Sequence, residues 1–371
     1  MHRATWNWLI HNRKRVIFKV ITFGAFGGSS AFICSSNGQS ISDRSPSSTF
    51  IFATSAIKPL NKHDSIRTYT TSVDNFYRKN KQLPVPTKIH VSLEDLIRKD
   101  ERTTGFGTRC QKNHGTHIEK LLVIGDVHGC LNELILLIEK AVKDENDGQP
   151  FDVIILVGDL VNKGPSSAEV IKFVRKQRGW YTVRGNHDNS ALLAALGDEN
   201  RVGQTKYQWL QNNSLSDEDI LWMSGLPYTI TIPSFLWQQG SNLDTTDTII
   251  VHAGLLPRKE LLDQDIMSMI TIRDVISSSD CSSYQHVIRQ AVSEEGEKSD
   301  HPVPWAKAWN ENKGPALIIF GHDAKRKLQY TEYAIGLDTG AVYGGSLTAC
   351  ILPTKKIVSV ASKKQYCQIK N

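Results

Sequence analysis

Five short segments of the chain each place an aspartate, asparagine or histidine beside a glycine, directly after a run of apolar residues. They are Gly125-Asp126-Val127-His128-Gly129, Gly158-Asp159-Leu160-Val161, Arg184-Gly185-Asn186-His187-Asp188, His252-Ala253-Gly254 and Gly321-His322-Asp323. Carboxylate, imidazole and carboxamide groups bind divalent ions of intermediate hardness such as Mn²⁺, Zn²⁺ or iron, and the absence of thiolates disfavours a structural zinc site. One such segment alone is more typical of a turn, but the five together predict a metal site.

The set of candidate ligands is too large for one ion that keeps an open position. The first two segments supply one histidine and two carboxylates, and the later segments add an amide and two histidines. Such a set suits two ions about 3.5 to 4 Å apart that share a bridging carboxylate, which stabilises both the attacking and the leaving oxygen in phosphoryl transfer. The residues therefore predict a two-metal site of the kind that serves phosphoryl transfer.

Short β-branched runs precede these segments and alternate with helical patterns. We expect strands over 121–126, 153–159, 180–186, 248–254 and 316–322. Apolar residues at helical spacing follow the first run, and Ser166 with Glu169 forms an S-x-x-E capping box before a second helix. This βαβαβ order is typical of an α/β domain with a largely parallel sheet, in which ligands bind beyond the carboxyl ends of the strands. All five segments are therefore expected at strand ends of one sheet.

The order of the five segments resembles the calcineurin-like metallophosphoesterases of the phosphoprotein phosphatase branch, over roughly residues 118–353. Two further features, the stretch Gly158–Pro165 and the tail Gly336–Ala349, are similar to symmetrical diadenosine tetraphosphatases and their eukaryotic relatives. Those relatives include vacuolar zinc-dependent polyphosphatases and a messenger-RNA cap-cleaving enzyme. The resemblance implies a β-sandwich flanked by helices.

The resemblance also implies roles for individual residues. It assigns Asp126 and His128 to one ion, makes Asp159 the bridge, and assigns Asn186, His252 and His322 to the other ion. It implies in-line attack on phosphorus by a water or hydroxide held between the two divalent ions.

The resemblance makes His187 the general acid that protonates the leaving oxygen. Near His187 in the motif pattern, two residues of this chain differ from those of the protein phosphatases. Lys163 stands where protein phosphatases have a phosphate-holding arginine, and Asn162 stands where they have the aspartate that pairs with the histidine. Because an amide carries no charge to stabilise a protonated His187, Asp188 is a candidate to supply that carboxylate.

Phosphate binding is predicted for Lys163, Arg184 and Arg273, although Arg184 is expected more as a structural residue of its loop. Lys325, Arg326 and Lys327 could guide a polyanion, but three charges in a row usually face solvent. Five tryptophans could stack a nucleobase, and aromatic residues are more often core: Trp209, Trp222, Trp237, Trp305 and Trp309.

The length of 371 residues, with 40% hydrophobic and 22% charged residues, excludes collagen-like, fully disordered and polytopic membrane proteins. Residues 1–118 carry a net charge of +11 and the remainder −5, so the main body shows no sign of a nucleic-acid-coating surface. The six cysteines form no CxxC pair, which argues against a zinc ribbon or a disulfide scaffold.

The charge and composition divide the chain into three parts. Residues 1–42, basic and then apolar, are predicted to be a targeting signal peptide or membrane anchor. Residues 43–117 are predicted to be a largely disordered linker with one short helix near 92–99, and 118–360 the metallophosphoesterase domain. A secretory or vacuolar membrane or lumen is favoured over a mitochondrion or another organelle.

The leading substrate is a phosphoanhydride, either a dinucleoside polyphosphate or inorganic polyphosphate. A serine/threonine protein phosphatase is the alternative, and a non-catalytic phosphate-binding scaffold is a remote one. A scaffold would be expected to have lost a metal ligand, whereas all six candidate ligands are present in this chain.

A fluorescent fusion of residues 1–45 tests the targeting prediction. We expect it to reach a membrane-bound compartment, because the acid-free basic start and the apolar run are separable from the domain. A protein that lacks residues 1–42 should stay active and be mislocalised. A 1–45 fusion that remains diffuse in the cytosol contradicts the prediction.

Overall fold

The computed structural model of the chain describes residues 86, 88–104, 117–151, 153–212, 214–278, 280, 282–287 and 301–368. The predicted targeting segment 1–42 and most of the predicted linker 43–117 lie outside these residues. Within the described ranges, no helix has the length and apolar character needed to cross a membrane.

The described residues contain fourteen strands and seven helices. The strands are β1 His90–Ser92, β2 Leu121–Ile124, β3 Ile154–Leu156, β4 Trp180–Thr182, β5 Thr229–Ile232, β6 Thr248–Val251, β7 Asp274–Ser277, β8 Tyr284–His286, β9 Val303–Pro304, β10 Leu317–Phe320, β11 Gln329–Tyr330, β12 Ala334–Gly336, β13 Ser346–Leu352 and β14 Lys356–Ala361. The helices are α1 Leu93–Thr104, α2 Leu131–Glu145, α3 Ser167–Arg175, α4 Asn186–Ala195, α5 Asp217–Ser224, α6 Ile266–Thr271 and α7 Trp305–Glu311.

The strands form two large mixed sheets and one small sheet. The five-stranded sheet has the order β14-β13-β2-β3-β4 and the six-stranded sheet the order β1-β5-β6-β10-β12-β11, while β8-β7-β9 form the third. Strands β2, β3 and β4 are parallel, with Leu122 opposite Ile154 and Ile154 opposite Trp180. Strand β10 runs parallel to both β6 and β12.

A buried apolar layer joins the two large sheets. Val123 and Ile155 of the five-stranded sheet and Ile250 and Ile319 of the six-stranded sheet belong to one cluster, each with no exposed surface. A second cluster lies between the five-stranded sheet and helices α2 and α3, and a third includes residues of α7 and the six-stranded sheet. Because both faces of the central strands are buried, their sequences are continuous apolar runs. The structure is the predicted β-sandwich flanked by helices.

The expectation that all five polar segments end strands of one sheet is wrong. The first three follow β2, β3 and β4 of the five-stranded sheet, and the last two follow β6 and β10 of the six-stranded sheet. After β4 the chain crosses to the second sheet, and the packing of the two sheets brings their strand ends together. The predicted capping box is also absent, since the Ser166 side chain makes no cap hydrogen bond at the start of α3.

The folded region extends beyond the predicted boundaries 118 and 360. Strand β1 pairs in parallel with β5, and the Tyr181 hydroxyl in β4 donates to a carboxylate oxygen of Asp100 in α1 at 2.9 Å. At the other end, Tyr366 donates to the buried Glu133 carboxylate at 2.8 Å. Polar composition concealed β1, because one short edge strand needs few apolar residues, whereas α1 corresponds to the short helix predicted near 92–99.

The substitution Leu93→Ala tests whether the segment before residue 118 contributes to the fold. Leu93 has no exposed surface and packs in the cluster between the sheets. We expect its truncation to lower the free energy of unfolding by roughly 2–5 kcal/mol, measured by urea denaturation. The control Lys88→Ala removes an exposed cation paired with exposed Asp95 and should change it by less than about 0.5 kcal/mol. Equal stability of the two variants would contradict an integral β1–α1 segment.

Candidate active site

The site lies where the two sheets end, and tight turns carry its residues. His128, Asp159 and His322 have φ of 44°, 50° and 67°, in the left-handed region that residues with a Cβ rarely adopt. The strain of such turns persists only where the surroundings fix it, and it is concentrated at functional sites.

Hydrogen bonds tie the turns to one another. The backbone N–H of His128 donates to the Asp159 carbonyl at 2.8 Å, and the N–H of His187 donates to the Asp159 carboxylate at 2.8 Å. The N–H of His322, from the other sheet, donates to both carboxylate oxygens of Asp126 at 3.1 Å. Gly321 is necessary here because a Cβ at that position would overlap the Asp126 carboxylate. The site therefore joins the sheets directly.

Main-chain carbonyls fix the tautomers of two histidines. Nδ1 of His128 is 3.0 Å from the Val161 oxygen, and Nδ1 of His252 is 2.9 Å from the Val157 oxygen. Because a carbonyl only accepts, both Nδ1 atoms carry the proton in the neutral ring, and both Nε2 atoms present a lone pair.

Both lone pairs lie near other acceptors, and that of His128 also faces Nζ of Lys163 at 2.9 Å. Nε2 of His128 is 3.5 Å from one oxygen of Asp159, and Nε2 of His252 is 3.4 Å from the other. Nε2 of His252 is also 3.0 Å from Oδ1 of Asn186, and buried Nε2 of His322 has no hydrogen-bond partner. Acceptors that converge in a buried space need a cation, so this donor set fits divalent metal ions.

Two overlapping groups can hold such ions, and they share one carboxylate. Within each group the ligand atoms lie within 4.8 Å of one another, and the groups are His128, Asp159 and His187, and Asp159, His252 and His322. Asp126 and Asn186 adjoin them through the contacts given above. The structure thus brings together all six residues predicted as ligands, with Asp159 between the two groups.

Burial shifts the pKa values of the site residues. It raises the pKa of Asp126 well above its usual value, with further contributions from the charges of Asp338 and Asp159. Burial raises the pKa of Asp159 to about 6 and lowers that of His252 to about 4. Concentrated negative charge with neutral imidazoles is the state that binding of a cation stabilises.

Asp338 is a site residue that the sequence analysis did not single out. It is buried, its Oδ1 accepts the Gly340 N–H at 3.1 Å, and burial raises its pKa to about 6. The sequence pattern could have identified it, because Asp338 follows a short apolar run and lies close to a glycine, as the residues of the other five segments do.

Two of the three predicted phosphate-binding residues lie at the site. Lys163 Nζ is 2.9 Å from Nε2 of His128, with the Tyr343 ring centroid 5.2 Å away. Arg273 donates to the His322 carbonyl at 3.0 Å and lies 3.8 Å from the Asp323 carboxylate, with its side chain 32% exposed. Both cations can therefore reach an anion bound at the acceptor cluster.

Arg184 does not have the geometry of a phosphate ligand. It has no exposed surface, and its guanidinium donates to the Ser224 carbonyl and to the Tyr228 hydroxyl. These bonds fix the loop after β4 to the segment that leads to β5, which is the structural role weighed for Arg184 in the sequence.

Asp188 does not supply a carboxylate to His187, contrary to the prediction. Its two oxygens accept the backbone N–H groups of Asp159 at 2.8 Å, Leu160 at 3.0 Å and Gly185 at 2.9 Å. Asp188 stands three positions after Gly185, the N-cap of α4, so its side chain turns back to the backbone. It positions the second and third polar segments relative to each other.

The remaining candidates divide between core and surface. Trp237, Trp305 and Trp309 are buried core residues, and Trp209 and Trp222 are half-buried against the cluster below α2 and α3. Arg326 is paired with Asp323 and Asp274, whereas Lys325 and Lys327 are exposed. Lys206, which the sequence analysis missed, is one of the charges that lower the pKa of His187, after burial, Lys163 and His252.

The family model for the calcineurin-like phosphoesterases matches residues 119–326, and the chain belongs to this family. It is a metal-dependent phosphohydrolase. The asymmetrical bis(5'-nucleosyl)-tetraphosphatase PrpE of Geobacillus sp. (strain WCH70) is 27% identical over 259 residues, covering 67% of this chain and 96% of that protein. The symmetrical bis(5'-nucleosyl)-tetraphosphatase of Vibrio vulnificus (strain CMCP6) is 24% identical over 276 residues, covering 64% and 96%. A solved structure provisionally described as a diadenosine tetraphosphatase is 30% identical, covers 66% of this chain and 94% of its own, and has a TM-score of 0.48.

The substitution Asp159→Asn tests the shared carboxylate. Asn keeps an oxygen for the His187 N–H, so the fold should survive, while bound metal and turnover of p-nitrophenyl phosphate should fall. We expect a rate loss of roughly 10³-fold or more, because several kcal/mol of charge stabilisation are removed. Bound metal is measured by mass spectrometry. The control Asp219→Asn neutralises another buried carboxylate, paired with Arg175, and should retain both properties. Ordinary activity and metal content in folded Asp159→Asn would contradict the assignment.

Proposed function

We propose that the chain hydrolyses phosphoanhydride bonds, with a dinucleoside polyphosphate as its substrate. The observation that carries this proposal is the set of cations around the acceptor cluster. Lys163 follows β3, Lys206 belongs to the excursion between α4 and α5, and Arg273 precedes β7. Cations on three separate elements suit a substrate with several linked phosphates better than a single phosphomonoester. The names of the curated relatives support the same substrate class.

The six ligand residues would hold two divalent ions, Mn²⁺, Zn²⁺ or iron. Asp126 and His128 would hold one ion, Asn186, His252 and His322 would hold the other, and Asp159 would contribute to both. When bound, the ions supply Lewis-acid stabilisation of the charge on the phosphoryl group. Asp338 adds a buried negative charge next to Asp126, which strengthens the attraction of the site for cations.

The cationic side chains have separate tasks in this proposal. Lys163, whose Nζ is 2.9 Å from Nε2 of His128, binds the phosphate that reacts, and its compact ammonium acts as a point charge without the bidentate fork of arginine. Arg273 and Lys206 bind phosphates on either side of it. In this proposal His187, whose pKa both cations lower, interacts with the leaving group.

Inorganic polyphosphate is a second candidate substrate, and exposed Lys325 and Lys327 favour it. They lie three and five positions after His322, so they continue the positive charge away from the site along a longer chain of phosphates.

Delivery of the enzyme to a membrane-bound compartment by residues 1–42 remains part of the proposal on the basis of the sequence.

A side-by-side substrate panel tests the proposed function. The protein is given Mn²⁺ or Zn²⁺ with diadenosine tetraphosphate, polyphosphate and phosphoserine or phosphothreonine peptides. We expect kcat/KM for diadenosine tetraphosphate to exceed that for the peptides by roughly ten-fold or more, since one added charge-assisted hydrogen bond contributes about 1.5–3 kcal/mol. Free phosphate and nucleotide products are resolved. A preference for the phosphopeptides would overturn the substrate class.

A pair of lysine variants sharpens this comparison. Lys206 lies over Tyr207 at 4.9 Å and Lys364 lies over Tyr366 at 5.5 Å, so the two lysines have similar local surroundings. Lys206→Ala should lower kcat/KM for diadenosine tetraphosphate without changing that for p-nitrophenyl phosphate. Lys364→Ala should change neither.

A further inference from the structure

Three residues form a hydrogen-bonded chain that ends at His187. The indole Nε1 of Trp209 donates to Oδ1 of Asn162 at 2.7 Å. The amide nitrogen of Asn162 lies 3.3 Å from the His187 carbonyl oxygen and 3.2 Å from Nδ1 of the His187 ring. Trp209 therefore reaches His187 through the side chain of Asn162.

The partners of Asn162 fix the orientation of its amide. An indole N–H can only donate, so the Asn162 atom that it contacts is the oxygen. A backbone carbonyl can only accept, so the atom near the His187 carbonyl is the NH₂ group. That same NH₂ group faces Nδ1 of His187, which must then be the acceptor. A neutral His187 ring consequently carries its proton on Nε2.

The first two members of this chain, Trp209 and Asn162, are held firmly. Asn162 is 1% exposed, has φ of 70°, and its backbone N–H donates to the Ser167 hydroxyl at 2.9 Å. Trp209 lies in a short 3-10 helix, Thr205–Leu210, and packs against the apolar cluster below α2 and α3. A rotation of the amide by half a turn would set its NH₂ against the indole N–H and its oxygen against the His187 carbonyl oxygen, which is unfavourable at both contacts.

We propose that Trp209 is a positioning residue that acts through Asn162 to make His187 a neutral hydrogen-bond donor from Nε2, in place of a general acid. The inference rests on the proposed function, because it assigns the part that His187 takes in phosphoanhydride cleavage. The NH₂ group at Nδ1 excludes a second ring proton there. Transfer of the Nε2 proton from a neutral ring would leave an imidazolate, so His187 donates a hydrogen bond and keeps its proton.

This role matches a leaving group that is itself a phosphate. The water oxygen forms the new bond to phosphorus and loses a proton to solvent, while the anhydride P–O bond breaks. Its electron pair remains on the leaving phosphate oxygen, which is stable as an anion at neutral pH. A hydrogen bond from Nε2 stabilises the charge as it develops, whereas an alkoxide leaving group would need a full proton.

Nuclear magnetic resonance gives the direct test. The Zn²⁺-loaded protein is labelled with ¹⁵N-histidine, and the His187 signals are assigned by their loss in His187→Gln. We expect Nδ1 to have the ¹⁵N shift of an unprotonated nitrogen and Nε2 that of a protonated one. In Trp209→Phe, which keeps an aromatic ring but removes the indole N–H, Nδ1 should gain proton occupancy. A protonated Nδ1 in the unsubstituted protein would overturn the inference.

The dependence of rate on the leaving group gives a second readout. Asn162→Asp presents a carboxylate to Nδ1 and should convert His187 to a proton donor, which raises kcat/KM for phenyl phosphate relative to p-nitrophenyl phosphate by roughly 10- to 100-fold. Trp209→Phe should lower kcat for diadenosine tetraphosphate about three- to ten-fold, the equivalent of one neutral hydrogen bond, with KM and bound metal unchanged. The control is Trp222→Phe, another half-buried tryptophan packed against the same cluster, and it should match the unsubstituted protein.

These outcomes separate the two proposals. If phosphopeptides are the preferred substrates but Nδ1 is unprotonated, the substrate class is wrong and the orientation of Asn162 stands. If diadenosine tetraphosphate is preferred but Trp209→Phe and Trp222→Phe behave alike, or Asn162→Asp leaves the leaving-group dependence unchanged, the inference about Trp209 is wrong and the proposed function stands.

Discussion

The structure depends on acceptor atoms that converge in a buried space between two sheets. Carboxylate oxygens, an amide oxygen and imidazole lone pairs face one another at 3.0 to 3.5 Å. Such an arrangement is unfavourable without a cation, because each group has left water and meets a like partial charge. The left-handed turns that present these atoms, and the bonds of Asp188 to three backbone N–H groups, hold it in place. The fold therefore holds the candidate ligand atoms in position before an ion binds, which favours metal binding.

The two sheets and the site stabilise each other. One ligand group comes mainly from the five-stranded sheet and the other adds histidines from the six-stranded sheet, while the Asp126 carboxylate is bonded to the His322 backbone across the boundary. The tight fit extends outward from the ligands, because Trp305 packs so closely on Gly254 that a Cβ there would overlap its indole. A bound ion would therefore connect the two sheets of the sandwich. Substitutions that disturb the packing between the sheets would also change the distances between the ligand atoms.

The sequence predicted which polar side chains meet at the site and which strands precede them, because both depend on local pattern. Apolar runs that end in Asp, Asn or His were sufficient to find Asp126, Asp159 and His322. It could not predict where side chains point, so Asp188 was assigned to the His187 ring when it binds backbone. Trp209 was weighed only as a base-stacking or core residue, because its contact with Asn162 spans 47 positions in the chain. Strand β1 escaped notice, since three half-buried residues carry too little apolar pattern.

Strand β1 also determines how much of the chain before residue 118 can be removed without opening the six-stranded sheet. It is the edge strand of the six-stranded sheet, paired only with β5 among the described strands, and it is followed at once by buried Leu93. A processing protease that cut upstream of residue 86 would leave the sheet complete. A cut within α1 or after it would remove the edge strand, expose the backbone of β5 for pairing with another molecule, and open the core.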